Sequence, residues 1–405
     1  ERLLQGVSNI YPDKRVELHL FMGRASGEVH RPAVWLESDA AESIPSTSQQ
    51  RITGKTIPPG SITQFVPLPT NINYLSRASL DIIEKQIFDG KYEKSPYDIF
   101  RGLDTTSEQG KKAPPYIVET RQQLTSALTD TISTLEQGFM KLHDPDYENA
   151  IDQYLTHAVD NTDKNIVDQV RVRLQEVSTR VHGLIKESQA KNYENFVIVS
   201  SKLTKDPVKP DVYKSNVNFG DDKEVALAIQ GDRGNTIYIV NDQFFNIKSA
   251  PEHERAEVAR LQVDTLIHEH SHLAVSSIDA AYTLDDSTIA KDPQNIFKKI
   301  KNIVETKGIE GNDIANKFMG RLYRHLKIDP LDGPAANQLI KDNPALMTNI
   351  VLENADTLSW YLFDIAKLDR TGNAPRAKRA AGNETLFFSE PLLKIFVATS
   401  LTNFS

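Results

Sequence analysis

Not one of the 405 residues is a cysteine. Disulfides are therefore excluded, the core must hold without covalent staples, and any bound metal must be held by nitrogen and oxygen ligands. Long apolar runs are missing too. The longest, "PLLKIFVATSL" near the C-terminus, is about half the ~20 residues that a membrane-spanning helix needs, so no span is expected. Basic charge is not in excess: 47 Lys and Arg stand against 55 Asp and Glu, a formal net charge of -8. The two signs are interspersed, leaving no footprint for nucleic acid and no polybasic stretch for an anionic membrane. The basic run "RTGNAPRAKRAAGNE" from Arg370 to Glu384 reads as a solvated loop. No apolar signal-peptide core follows the opening "ERLLQG"; that start is the one expected of a processed product or an excised piece of a longer chain.

What is present suits a globular protein, since a hydrophobic fraction of 39% over this length can supply a sizeable core. "RVELHLFMG" and "PAVWLES" alternate like strands. Residues 41–70, rich in Ser, Thr, Pro and Gly, suit an extended linker or a wrapping segment with little core of its own. A short helix is expected in "SRASLDIIEKQIFDG", capped by Ser79 and stopped by Gly90. The loop "TTSEQGKKAPPY" then divides the chain into an N-terminal extension, 1–110, and a main domain, 115–405.

The main domain opens with two amphipathic helices. Leu124, Leu128, Ile132 and Leu135 form one stripe; Val167, Val170, Leu174, Val177, Val181 and Leu184 form the second,. "NFVIVSS", "EVALAIQG" and "NTIYIV" read as strands of a small, mainly antiparallel sheet, the last after a turn at Asp232 to Asn235. A long helix is expected from near Pro251, with Glu252 and Glu254 in its first turn. Helices around "IFKKIKNIVETKG", "IANKFMGRLYRHLK" and "NIVLENADTLSWYLFDIA" complete an α+β architecture.

The long helix carries "IHEHSH", Ile267 to His272, which contains HExxH. Residues four apart lie on one helical face, so His268 and His272 can direct imidazole nitrogens at one ion. His270 is turned roughly 200° from His268 and cannot join them. It belongs with Ala259, Val263, Ile267 and Ala274 on the opposing stripe as a packed or hydrogen-bonded histidine. Glu269 lies beside the ligand face, where it reaches a metal-bound water as general base. A catalytic zinc site needs a third protein ligand. Asp279, seven residues past His272, is one candidate; Glu305 and Glu353 are the others. Tyr282 can donate its phenol to an oxyanion or serve as a core aromatic.

The run "NTIYIVNDQFFN…VDTLIHEHSHLAVSSIDAAY", followed by "LENADTLSWYL", resembles the aspzincin metallopeptidases, the deuterolysin and peptidyl-lysine endopeptidase group. The resemblance covers roughly residues 115–370. It implies a zincin-like domain of helices plus a small sheet. It makes His268, His272 and Asp279 the Zn2+ ligands, Glu269 the base and Tyr282 an oxyanion donor. It implies that Asp356, of the Asn354-Ala355-Asp356 triplet, binds substrate; a hydrogen bond to His272 or to the loop is the other reading of Asp356. Only the Asp-x-x-Tyr half of the signature around the third ligand is present, and Ser359 stands where lysine-specific members have a second acid. Strict lysine specificity is therefore not expected. The function implied is hydrolysis of protein or peptide substrates by a secreted or delivered enzyme, a bacterial toxin or effector. Two readings compete with it: a catalytically inactive zincin-fold binding module of a larger secreted protein, and a cell-wall amidase.

Overall fold

The two predicted stripes become the two longest helices of the computed structural model. It describes residues 62, 64–69, 74–81, 97–106, 111–201, 203–205, 213–215, 226–240, 252–281, 292–309 and 311–372, with two strand segments nearer the N-terminus. Helix α1, Pro115–His143, buries Leu124, Leu128, Ile132 and Leu135. The 3-10 turn Pro145–Tyr147 leads into α2, Glu148–Ala158, which the sequence reading passed over. Helix α3, Lys164–Ala190, buries the predicted valines but closes its stripe with Ile185 rather than Leu184. Then come α4, Glu252–Val275; α5, Pro293–Lys307; α6, Asp313–Leu326; α7, Gly333–Lys341; α8, Pro344–Val351; and α9, Ala355–Lys367. Among the described residues no helix is long and apolar enough to cross a membrane.

Among the described residues eight short strands accompany them. β1, Val16–Leu18, pairs antiparallel with β2, Val34–Leu36; β5, Leu203–Lys205, pairs antiparallel with β6, Tyr213–Ser215. The main sheet has four strands in the order β3, Tyr97–Arg101; β4, Phe196–Ser201; β8, Ile237–Val240; β7, Ala226–Ala228. Its outer pairings are antiparallel, but the central pair, β4 with β8, is parallel. The protein is thus α+β, mostly helical, with a small mixed sheet in place of the mainly antiparallel one expected. The residue pattern explains the difference. Phe196, Val197 and Ile198 are all fully buried, as are Ile237 and Ile239, and continuous apolar strands covered on both faces are the kind that run parallel.

Helix α9 packs against α1 and α4, and α3 packs against both α1 and α4. Lys141 of α1 donates to the carbonyls of Ala366 and Leu368 at 2.7 and 2.8 Å, satisfying the C-terminal end of α9 where a cation is favoured,. From Leu261 to Val275, α4 is buried except at Asp264 and Thr265. It is therefore a central helix rather than one with a single packed stripe.

Described residues on both sides of 110–115 share one core. Ile62, Val66, Leu68 and Leu103 join the same hydrophobic cluster as α1, α3 and α4, and β3 is an edge of the main sheet. The Pro-containing stretch 64–69 lies along α3: Gln169 accepts from the Phe65 N–H at 2.5 Å, Arg173 donates to the Val66 carbonyl, and Arg180 donates to the Pro69 carbonyl at 2.6 Å. The short helix expected after it starts earlier than predicted. Ser76, not Ser79, caps it by accepting from the Ser79 N–H at 3.1 Å; Gly90, its expected stop, lies outside the described residues, as do Arg370 to Glu384 beyond Gly372 and the apolar run near the C-terminus.

Two glycines test the helix packing. At Gly138, where α1 meets α9, a Cβ would stand 3.3 Å from the Leu362 carbonyl oxygen and 3.7 Å from the Ala366 Cβ; at Gly183 it would meet nothing within 4 Å. Gly138→Leu should therefore lower unfolding stability by about 1–3 kcal/mol through overpacking. Gly183→Ala should raise it by about 0.5–1 kcal/mol through helix propensity. Denaturant titration of the two variants beside the parent reads both.

Candidate metal centre

The site begins with the last two turns of α4, which bring His268 and His272 onto one face with ring centroids 4.8 Å apart and nearly perpendicular. The helix then stops without a glycine. Ser276 adopts a left-handed conformation, φ 57°, and its carbonyl accepts from the Lys317 ammonium at 3.0 Å. The chain reverses, and Ile278 forms a one-residue parallel bridge with Asn354. The Ile278 N–H donates to the Glu353 carbonyl at 2.8 Å, and the Ala355 N–H donates to the Ile278 carbonyl at 3.0 Å. That bridge returns Asp279 to the two histidines.

Asp279 Oδ1 lies 3.0 Å from His268 Nε2 and 3.3 Å from His272 Nε2. One ligand atom from each of the three residues falls within 4.8 Å of the other two, and among the described residues no other such group is found. These residues can hold a metal ion. Glu305 is exposed on α5, and the buried Glu353 carboxylate is engaged by Arg321 at 2.5 Å, so neither rival reaches the site. Tyr282 lies outside the described residues.

The second nitrogen of each imidazole is held from outside α4. His268 Nδ1 donates to Asp356 Oδ1 at 2.6 Å. His272 Nδ1 donates to the Ser277 carbonyl at 3.0 Å. With each Nδ1 engaged elsewhere, each Nε2 is the nitrogen turned toward Asp279, and in the neutral ring with its proton on Nδ1 it is the one free to bind a metal,. Of the two roles considered for Asp356, the hydrogen-bonding one is seen, but its partner is His268 rather than His272. Ser271 Oγ, bonded to Ser277 Oγ at 2.6 Å and donating to the His268 carbonyl at 2.7 Å, ties the reversal back onto the helix.

The electrostatics are those of a buried carboxylate set between two imidazoles. Burial pushes His268 down, but Asp279 and Asp356 outweigh it and hold the imidazole well above its ordinary value. His272 is raised by Asp279 against the same burial. Burial would push Asp279 up; His272 and His268 overcome it and keep the carboxyl well below the usual range. A buried carboxylate stays charged here because positive charge stands beside it, whether on the imidazoles or on a bound cation. Burial raises the Glu269 carboxyl, while His268 and His272 pull it down. His270 is apart from this: 1% exposed, donating from Nδ1 to the Leu266 carbonyl at 2.6 Å, and lowered to about 4 by burial. It is the core histidine its position on the helix predicted.

Asn354 is the residue whose role the sequence reading missed. Its Oδ1 accepts from the Ala280 and Ala281 N–H groups at 2.9 and 3.1 Å, and its Nδ2 donates to the Ala281 carbonyl and Thr357 Oγ1, each at 3.1 Å. It stands in extended conformation at the N-cap of α9, so the Asn354-Ala355-Asp356 triplet straddles a helix start rather than lying within a helix. The signal was there: Asn ahead of an apolar helical run with an acid in the first turn is a helix-start pattern.

Compared with known protein families, with curated proteins and with solved structures, the chain matches none.

Residues that orient metal ligands typically affect affinity by about 10–100-fold. Asn354→Ala, which leaves the Ala280 and Ala281 N–H groups without their acceptor, and Asp356→Ala, which frees the His268 ring, should each weaken metal binding by that factor. Asp356→Asn, which keeps an acceptor oxygen, should lose less, and Glu305→Ala nothing. Competition against a chelator of known affinity, on variants whose circular dichroism matches the parent, ranks them.

Proposed function

We propose that the protein is a zinc-dependent endopeptidase of the aspzincin type, with a zincin-like catalytic domain. The observation that carries this is the convergence of His268 Nε2, His272 Nε2 and Asp279 Oδ1 on one point, beside a buried glutamate that immediately follows the first ligand. Donors around a tetrahedral zinc, at ~2.0–2.2 Å from it, stand about 3.3 Å from one another. The separations of 3.0 and 3.3 Å from Asp279 to the two imidazoles, with all three ligand atoms within 4.8 Å of one another, are compatible with donors to one such ion.

Zinc held there supplies Lewis acidity, polarising the scissile carbonyl and making water a nucleophile near neutral pH. The chain's own groups do the rest. Glu269, buried and raised above its ordinary value, takes the proton from the attacking water and returns it to the departing amine; the raised value brings the carboxyl closer to the working pH of a general base. Asp356 and the Ser277 carbonyl keep the imidazoles in the required tautomer. Tyr282, three residues past Asp279, donates its phenol to the oxyanion. The Asp356 carboxylate is engaged with His268, and Ser359, which has no carboxylate, donates to the Asp356 carbonyl at 3.2 Å, which supports a peptidase without strict lysine preference. Protein substrates of a host or competitor, reached by a secreted or delivered effector, fit this reading.

Glu269→Gln should keep about one zinc per chain while reducing peptide hydrolysis by ~10²–10⁴-fold, the usual worth of a general base. Asp279→Ala should release most of the metal. Metal analysis alongside cleavage of a denatured protein mixture reads both. Full activity in Glu269→Gln would sink the assignment, stoichiometric zinc without any proteolysis by the parent would favour an inactive binding module, and degradation of peptidoglycan but not protein would favour an amidase.

A further inference from the structure

On the far side of the Ile278–Asn354 bridge from the metal ligands lies a second buried charged cluster that the proposed reaction does not use. Glu353, 3% exposed, is gripped by Arg321 Nη2 at 2.5 Å. Arg173, 4% exposed, brings Nη1 within 3.9 Å of the same carboxylate oxygen, too far for a hydrogen bond,. Its Nη2 donates to the Val66 carbonyl and reaches Asn349 Oδ1 at 3.4 Å. Two guanidiniums therefore face one carboxylate, an excess of one positive charge before Lys317 is counted. The nearby Glu176 does not supply the deficit, since its half-exposed carboxylate is paired with Arg180 at 2.6 Å.

The donors tell the same story. Arg173 Nη1, Arg321 Nε and Nη1, and Asn349 Nδ2 are all buried with no hydrogen-bond partner. Buried donors are rarely left unmade, and unmade ones on a charged group are the most costly. A water molecule would offer an acceptor but no charge, leaving the excess uncompensated. Phe318 covers the Arg321 guanidinium and Phe65 that of Arg173, each with the ring centroid 5.9 Å from Cζ. An acceptor must then approach in the guanidinium planes, where the N–H groups point.

We propose that Arg173, Arg321 and Asn349 form a buried binding site for a monovalent, halide-sized anion, for which chloride is the abundant physiological candidate. A spherical ion accepts from several non-coplanar donors at once and offsets the arginine charge that Glu353 leaves unmatched. Asn349 is nearly isosteric with aspartate, so Asn349→Asp would place that negative charge in the chain itself.

The test uses the full chain in sodium chloride and in sodium gluconate at equal ionic strength. Chloride should raise the melting temperature saturably, by about 2–4 °C, whereas gluconate, too large for the site, should not. Asn349→Asp should melt in gluconate near the value the parent reaches in chloride, and its chloride dependence should disappear. Crystals grown with sodium bromide should show an anomalous peak within hydrogen-bonding distance of Arg173 and Arg321. Equal melting in the two salts, or bromide absent from between the two arginines, overturns the proposal; the bromide position in the parent decides it even if the variant does not fold.

Discussion

A single pair of hydrogen bonds, between Ile278 and the backbone of Glu353 and Ala355, is the constraint on which the rest of the site depends. It lies between two helix ends. On one side α4 has just finished, and without the bridge Asp279 would leave along the helix axis instead of turning back over His268 and His272. On the other side α8 has ended and α9 is about to begin, so the same few residues fix where Asp356 enters. Both Asp279 and the carboxylate that orients His268 are therefore set by one piece of backbone. Asn354 reinforces it by giving the Ala280 and Ala281 N–H groups, which have no sheet neighbour, a side-chain acceptor. The reversal is costly in itself, since Ser276 holds a left-handed conformation usually left to glycine,.

The two faces of this bridge carry opposite charge. In front, Asp279, Asp356 and Glu269 surround two imidazoles; behind, Arg173, Arg321 and Lys317 surround Glu353 alone. Glu353 belongs to both sides, its carbonyl pinning Ile278 and its carboxylate paired with Arg321. Lys317 likewise bonds the Ser276 carbonyl at the turn, while burial lowers its ammonium to about 7 against the pull of Glu353. The buried polar groups thus sort into an anionic centre that favours a metal cation and a cationic centre that favours an anion. Separation of this kind keeps each charge near a partner where water cannot screen it.

The N-terminal stretch is drawn into the same arrangement. Residues 64–69 lie along α3, and the Val66 carbonyl holds the Arg173 guanidinium that extends toward Glu353. A segment with the composition of a linker therefore braces the helix behind the site. Its prolines do not oppose this: Pro lacks an N–H to satisfy, and an extended chain can pack apolar side chains such as Val66 and Leu68 while its carbonyls accept from arginines.

Wherever the chemistry is local, the sequence by itself was enough. A 3.6-residue period determined which faces of α1 and α3 are buried, four-residue spacing put His268 and His272 together, and a turn of roughly 200° set His270 apart from them. Tertiary structure decided whatever needed a partner distant in the chain. Continuous apolar character in "NFVIVSS" and "NTIYIV" suits buried parallel strands but does not choose a neighbour, so only packing set the two side by side. The break at Leu352 to Asn354 is marked in the sequence only by a helix-start pattern, and the residue that bonds it, Ile278, arrives from far along the chain. Asp279 could be distinguished from Glu305 and Glu353 only by that arrival, because third-ligand chemistry is the same for all three carboxylates. Periodicity reports the geometry of one element, whereas hydrogen bonds and charges between elements depend on a return of the chain that no local pattern encodes.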